Sequence, residues 1–210
     1  MQVKVCGLTE LAQVQELDAI GVQMAGFIFH RGSPRCVLSG KLSAQDLKSA
    51  PLGLKKVGVF VNSTEDEILT QIDAFGLNLV QLHGEESPEF CARLNGQIPV
   101  IKAIAPKPGC NLSDLTEEFQ EHVDYFLFDN QSATQQGGTG EKFDWSLMEL
   151  LALKKPFLLS GGIAPQDADT LKHWRLPIKP WAVDLNSRFE THPGRKNIIQ
   201  IEQFINDLKS

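Results

Sequence analysis

Short apolar runs recur along the whole chain, at residues 3–5, 24–29, 56–61, 77–82, 100–104, 125–128, 156–159 and 181–185. They are rich in valine, isoleucine and phenylalanine. Most are apolar nearly throughout and do not alternate with polar residues. A strand buried on both faces, as in a parallel sheet, reads this way. Segments with helical periodicity and helix-start signals lie between the runs. Thr9 precedes Leu11, Val14, Leu17 and Ile20, and Gly21 can end that helix. Ser43 precedes Leu47. Thr64 and Glu67 form a capping box before Ile68, Leu69 and Ile72. Ser87 caps a helix with Pro88 at its first position. Ser113 precedes Leu115 and Phe119, and Asp144 precedes Leu147, Leu150 and Leu151. Pro165 opens a short helix, and residues 198–208 form the last one.

Strands and helices thus alternate through eight units of about 26 residues, near the lower size limit of a (β/α)8 TIM barrel. An open doubly wound sheet is the competitor, but such sheets usually hold five or six strands. The expected architecture is α/β: one (β/α)8 TIM barrel spanning residues 1–210. The longest irregular stretch, residues 130–143, is a candidate lid.

Composition narrows the function. Among 210 residues, 20 lysines and arginines face 26 aspartates and glutamates, a net charge of −6. No basic run exceeds two residues, so a nucleic-acid partner is not expected. No stretch approaches the apolar length of a membrane span. The first residues lack a basic segment followed by a long apolar core, so a cytoplasmic protein is expected. Cys6, Cys36, Cys91 and Cys110 form no C-x-x-C pair and stand at no metal-ligand spacing from histidine. Reduced, unpaired thiols and no metal are the simplest reading.

In a barrel the chemistry sits at the C-terminal ends of the strands. Cys6 follows the first run. A thiolate there is a competent base or nucleophile; the alternative is a small buried hydrophobe. Arg31 and Arg35 follow the second run in a loop with Gly32, Ser33 and Pro34. Such arginines can clamp a carboxylate or phosphate, or lie solvated. Gln81 and His83 at the fourth strand end are expected to hydrogen-bond at the rim. A metal site of His83 with Glu85 or Glu86 lacks a third ligand. Asp129 ends the sixth run behind four apolar or aromatic residues, where desolvation would suit a general acid; the alternative is a loop cap. Gly137-Gly138-Thr139-Gly140, Ser160-Gly161-Gly162 and Asp184-Leu185-Asn186-Ser187 offer backbone N–H groups to an anion. Two of them follow strands seven and eight, where barrels commonly hold phosphate.

Taken together, Lys4-Val5-Cys6-Gly7-Leu8-Thr9, Gly26-Phe27-Ile28-Phe29, Ser33-Pro34-Arg35, Val57-Gly58-Val59-Phe60-Val61-Asn62, Val80-Gln81-Leu82-His83-Gly84-Glu85-Glu86, the stretch from Gly137 to Trp145 and Leu159-Ser160-Gly161-Gly162-Ile163 make the chain resemble the phosphoribosylanthranilate isomerases. The resemblance runs from near the first residue to Gly194. It implies an Amadori rearrangement in tryptophan biosynthesis, an aldose-to-ketose isomerisation without cofactor or metal. It places the general base on Cys6, the general acid on Asp129 and the anthranilate carboxylate on Arg35. Gly138, Thr139, Gly140, Ser160, Gly161, Gly162, Asp184, Asn186 and Ser187 fall in the substrate- and phosphate-binding segments, with Gln81 and His83 beside them. The expected partner is a phosphorylated sugar–anthranilate, bound by a monomer or homodimer. One departure stands out: the family often has glycine where this chain has Arg188, which either charges the phosphate site or points to solvent. The rivals are another phosphosugar barrel enzyme and a non-catalytic phosphometabolite binder. The second would need neither Cys6 nor Asp129.

Overall fold

The structure is a computed structural model and describes residues 1–105, 111–129, 145–149 and 151–210. Eight parallel strands close in chain order: β1 (Gln2–Cys6), β2 (Met24–Ile28), β3 (Lys55–Phe60), β4 (Leu79–Leu82), β5 (Val100–Ile104), β6 (Tyr125–Phe128), β7 (Phe157–Leu159) and β8 (Ala182–Leu185). Each apolar run is a strand. β1 pairs with both β2 and β8, so the sheet is a closed barrel and not an open doubly wound one.

Helices α1 (Leu11–Ala19), α2 (Ala44–Ser49), α3 (Glu65–Phe75), α4 (Pro88–Asn95), α5 (Leu112–Glu117), α6 (Ala168–Lys172) and α7 (Ile198–Lys209) lie between and after the strands. The Thr64–Glu67 capping box is present, and Ser87 accepts from the Phe90 amide ahead of α4. Three local expectations need correction. Thr9 does not cap α1: its hydroxyl donates to the Gly194 carbonyl at 3.1 Å, and Glu10 takes the cap position without a side-chain bond. Asn111, not Ser113, caps α5. The helix expected after Asp144 is, in the described residues, a 3-10 turn over Trp145–Met148. A 3-10 turn eclipses positions three apart. Trp145 packs against Trp174, with ring centroids 5.5 Å apart, and Met148 is buried. A short antiparallel hairpin, β9 (Glu190–His192) and β10 (Arg195–Lys196), follows β8 and has no counterpart in the sequence reading.

The two faces of each strand build two cores, because successive side chains point to opposite sides. The larger core lies outside the barrel, under the helices. The smaller fills the lumen with Met24, Val57, Leu79, Ile101, Ala103, Leu127, Leu158 and Ala182. Tyr125 and Trp181 pack together, tilted by 30°, across its N-terminal end, centroids 4.6 Å apart. Advancing two residues from these lumen positions keeps a side chain inside and moves it toward the C-terminal mouth. Leu79 leads to Gln81 and His83, Leu127 to Asp129, Leu158 to Ser160, and Ala182 to Asp184. Register pairs Lys4 with both Met24 and Asp184, which puts Lys4 and Cys6 on the same inner face. The apolar floor therefore gives way to a polar layer made of residues singled out by sequence together with Lys4.

Candidate active site

Cys6 ends β1 and is 4% exposed. Gly26 on β2 makes room for it: a Cβ at Gly26 would lie 2.8 Å from Cys6 Sγ and 3.0 Å from its Cα. Gly26→Ala is expected to displace the thiol and to cost about 1–3 kcal/mol through overpacking, read as a lower urea midpoint. The next residue, Gly7, has φ of +81°, and a Cβ there would meet the Arg35 side chain at 2.7 Å. Glycine at that position lets Arg35 lie across the end of β1.

Lys4, one inward position below Cys6, is wholly buried. Its Nζ donates to Asp184 Oδ2 at 2.7 Å, and its ammonium shares the inner face of β1 with the Cys6 thiol. Burial pushes the Cys6 thiol pKa up; the Lys4 ammonium opposes this, the Asp184 carboxylate adds to it, and the Lys196 ammonium opposes it again. Burial also raises the Asp184 carboxyl against the pull of Lys4. For Lys4 itself, burial alone would lower the pKa, but Asp184 and Cys6 hold it above the ordinary value.

Asp129 follows β6, and two strands, β7 and β8, separate it from β1 by the shorter way around the barrel. It faces His83, with Nε2 to Oδ2 at 3.6 Å, beyond hydrogen-bond length. Gln81 Nε2 lies 3.4 Å from His83 Nδ1. With the amide donating there, a neutral His83 carries its proton on Nε2, toward Asp129. Burial lowers the His83 pKa, which favours that neutral ring. Among the described residues, Gln81 Oε1, His83 Nε2 and Asp184 Oδ1 are buried without a hydrogen-bond partner. Buried polar atoms are rarely left so. Three orphaned atoms around one mouth mark a place for a polar ligand, and the two oxygens are acceptors suited to hydroxyl or N–H donors.

Arg35 sits in the turn after β2, fixed by its own amide donating to Ser33 Oγ at 3.1 Å. Its Nε reaches both Glu190 oxygens at 2.9 and 3.0 Å, and Nη2 reaches Glu190 Oε2 at 2.7 Å. Glu190 also accepts from Lys196 Nζ at 2.7 Å, and Lys196 donates to Asn186 Oδ1 at 2.8 Å. Burial alone would raise the Glu190 carboxyl, but the bonds from Arg35 and Lys196 hold it below the ordinary carboxylate range. The hairpin thus carries a buried charge chain that orients Arg35 and ties Asn186 to the same corner.

Ser160, Gly161 and Gly162 follow β7 directly, with φ of +81° and +76° at the two glycines. Asn186 and Ser187 follow β8 and open a 3-10 turn over Ser187–Phe189, in which Arg188 is exposed. Asp184 lies within β8 and turns inward, so it does not share the loop position of Asn186 and Ser187. Gly138, Thr139 and Gly140, and the candidate lid over residues 130–143, lie outside the described residues, as does Cys110. Cys36 and Cys91 are buried free thiols. Glu86, weighed above as a metal ligand, is instead held by Lys102 Nζ at 2.8 Å and by the amides of Asn62 and Gly84. Lys102 also donates to the Gly84 carbonyl at 2.7 Å, which braces the loop carrying His83. Among the described residues no group of three or more His, Cys, Asp or Glu side chains is placed to hold a metal ion, and no helix is long and apolar enough to cross a membrane.

The sequence reading missed Lys4, Glu190 and Lys196. Lys4 carried a usable signal: it stands inside an apolar run, two residues before Cys6, and so on the same strand face. Glu190 and Lys196 carried none, since only the folded hairpin brings them to Arg35.

Residues 3–207 match the family described as N-(5'phosphoribosyl)anthranilate (PRA) isomerase. An N-(5'-phosphoribosyl)anthranilate isomerase of Parabacteroides distasonis is 40% identical over 99% of this chain and 93% of its own length. The crystal structure of phosphoribosyl anthranilate isomerase from Thermus thermophilus superposes with a TM-score of 0.81 at 28% identity, covering 100% of this chain and 98% of that one. A phosphoribosyl anthranilate isomerase in complex with reduced 1-(o-carboxyphenylamino)-1-deoxyribulose 5-phosphate gives a TM-score of 0.77 at 30% identity, with coverage of 100% and 98%. A closed eight-stranded barrel, a thiol and a carboxylate across its mouth, and full-length matches of this kind lead to one assignment: the chain belongs to the N-(5'-phosphoribosyl)anthranilate isomerase family.

Proposed function

We propose that the protein converts N-(5'-phosphoribosyl)anthranilate to its 1-deoxyribulose phosphate ketose by general acid–base catalysis, with Asp129 as the acid and Cys6 as the base. The observation that carries this reading is the placement of the two groups on opposite sides of one mouth, Cys6 on β1 and Asp129 after β6. A substrate lying across the mouth has one group at each end of its reacting sugar. Asp129 donates its proton to the furanose ring oxygen. The bond from that oxygen to the anomeric carbon breaks, and the anilinic nitrogen supplies the electron pair that forms the Schiff base. The Cys6 thiolate removes the proton from the adjacent sugar carbon, and the pair left behind gives the enolamine. The enolamine tautomerises to the ketone.

The remaining polar groups divide by chemistry. The orphaned oxygens of Gln81 and Asp184 suit sugar hydroxyl donors, and a carboxylate at Asp184 would repel phosphate. Phosphate is left to the backbone after β7 and β8: Ser160, Gly161, Gly162, Asn186 and Ser187, with Gly138, Thr139 and Gly140 in the segment not described. Arg35 meets the anthranilate carboxylate with the part of its fork that Glu190 leaves open. Arg35→Ala is expected to raise KM about 10–100-fold, the worth of a charge-assisted hydrogen bond. Arg35→Lys should restore little of it, because an ammonium cannot serve Glu190 and the substrate with one planar fork. Steady-state kinetics on both variants test this, and an unchanged kcat/KM in Arg35→Ala removes Arg35 from the site. Loss of phosphoribosylanthranilate fluorescence on adding the purified protein tests the reaction itself. No loss above the uncatalysed rate refutes the proposal.

A further inference from the structure

Lys4 is the buried group whose presence the mechanism above leaves unexplained. Its ammonium lies at 0% exposure on the inner face of β1, below the mouth. Burying an ion pair sacrifices hydration, and replacing both partners with well-packed apolar residues is often neutral or stabilising. The lumen one layer down is filled in that apolar way, by Met24, Leu158 and Ala182 among others. Stability alone therefore gives no reason for Lys4 and Asp184. Their geometry is also unsymmetrical. Asp184 spends one oxygen on Lys4, at 2.7 Å, and keeps Oδ1 without a partner. Lys4 gives an N–H to that carboxylate and stands next to the Cys6 thiol on the same face of β1, two residues away.

We infer that Lys4 is a positioning residue for the Cys6 base: its ammonium, steered by Asp184, holds and stabilises the thiolate. The inference rests on the reading of Cys6 as general base. The Cys6 S–H bond breaks and its proton leaves to water. Lys4 stays protonated and balances the new charge on sulfur, and nothing is oxidised or reduced. Substrate binding adds to this. A sugar hydroxyl donating to Asp184 Oδ1 draws charge from the carboxylate, weakens its hold on Lys4 and frees the ammonium for sulfur. The charged and titratable groups facing Cys6 are Lys4 on its own strand, Asp184 on β8 and Lys196 on β10; Asp129 and His83 act on Asp184 from across the mouth. Lys196 is already engaged by Glu190 and Asn186, which leaves Lys4, on the same strand face as Cys6, as the cation that acts on the thiol.

The test is the ultraviolet thiolate absorbance of the whole protein, titrated with pH, with the same titration of Cys6→Ser subtracted to isolate Cys6. Each Lys4 and Asp184 variant is paired with its own Cys6→Ser counterpart. Asp184→Asn is expected to lower the Cys6 midpoint, since it removes a like charge and releases Lys4. Lys4→Met/Asp184→Asn, which removes both ions and so leaves neither buried alone, is expected to raise the midpoint by about 1–3 pH units above that of Asp184→Asn. The basic shift should reappear in the pH profile of kcat/KM. Urea midpoints confirm that each variant is folded. Coincident midpoints in Asp184→Asn and the double variant overturn the inference, because a merely structural pair has no reason to separate them. The two readings fail separately. Normal turnover by Cys6→Ser overturns the base assignment, whereas an inert Cys6→Ser with coincident midpoints overturns Lys4 alone.

Discussion

Replacing Cys6 by serine is expected to lower kcat by about 10²–10⁴-fold while KM stays within a few-fold of its original value. Serine fills nearly the same space beside Lys4, so the substrate should still bind. It does not supply the base. A hydroxyl is far less acidic than a thiol, and the neighbouring ammonium that favours a thiolate cannot hold an alkoxide near neutral pH. The loss therefore falls on proton abstraction from the sugar carbon. Single-turnover and steady-state rates on the purified variant measure it. Turnover within a few-fold of the original enzyme removes Cys6 from the chemistry.

Asp129→Asn is expected to lower kcat by a similar factor, about 10²–10⁴-fold, for a different reason. The amide keeps the shape of the side chain and still offers an N–H to the ring oxygen. It cannot give that proton up. Ring opening then depends on a proton from water. Combining the two substitutions should cost much less than the product of the single losses if the first proton transfer gates the second. Equal rates for Asp129→Asn and the unaltered enzyme would show that ring opening needs no help from this carboxyl.

Much of the scaffold can be read from the chain because a barrel strand is buried on both faces. The eight runs stand out for that reason, and strands β5 and β6 fall on their expected boundaries. Caps that depend on three or four consecutive residues are also legible, as Thr64 with Glu67 and Ser87 with Pro88 show. Features that depend on distant partners are not. Thr9 looks like a cap until the Gly194 carbonyl, 185 positions away, claims its hydroxyl. Glu86 looks like a ligand until Lys102 arrives beneath it. Arg35 reads as a candidate anion clamp, but Glu190, which holds its fork, belongs to a hairpin too short for hydrophobic periodicity to reveal. Cys6, Gln81, His83, Asp129 and Ser160 can be placed at the barrel mouth because strand ends can be counted. Lys4 was overlooked because a lysine within a strand is ordinarily taken for an outward, solvated residue.

The bond from Lys4 to Asp184 joins residues 180 positions apart, where the first strand meets the last. This is the seam at which the barrel shuts. Arg35 and Glu190 repeat the arrangement 155 positions apart. Each of these contacts must wait for nearly the whole chain to be gathered, and contacts of such long sequence separation are entropically slow to make. A partly assembled molecule, with β8 not yet docked, lacks the carboxylate beside Lys4 and the hairpin beside Arg35. The proposed reaction centre and the closing seam are thus one place, and turnover is expected to report on completed molecules. During refolding, recovery of turnover should trail recovery of helical circular dichroism and keep pace with protection of the β1 and β8 amides from hydrogen exchange.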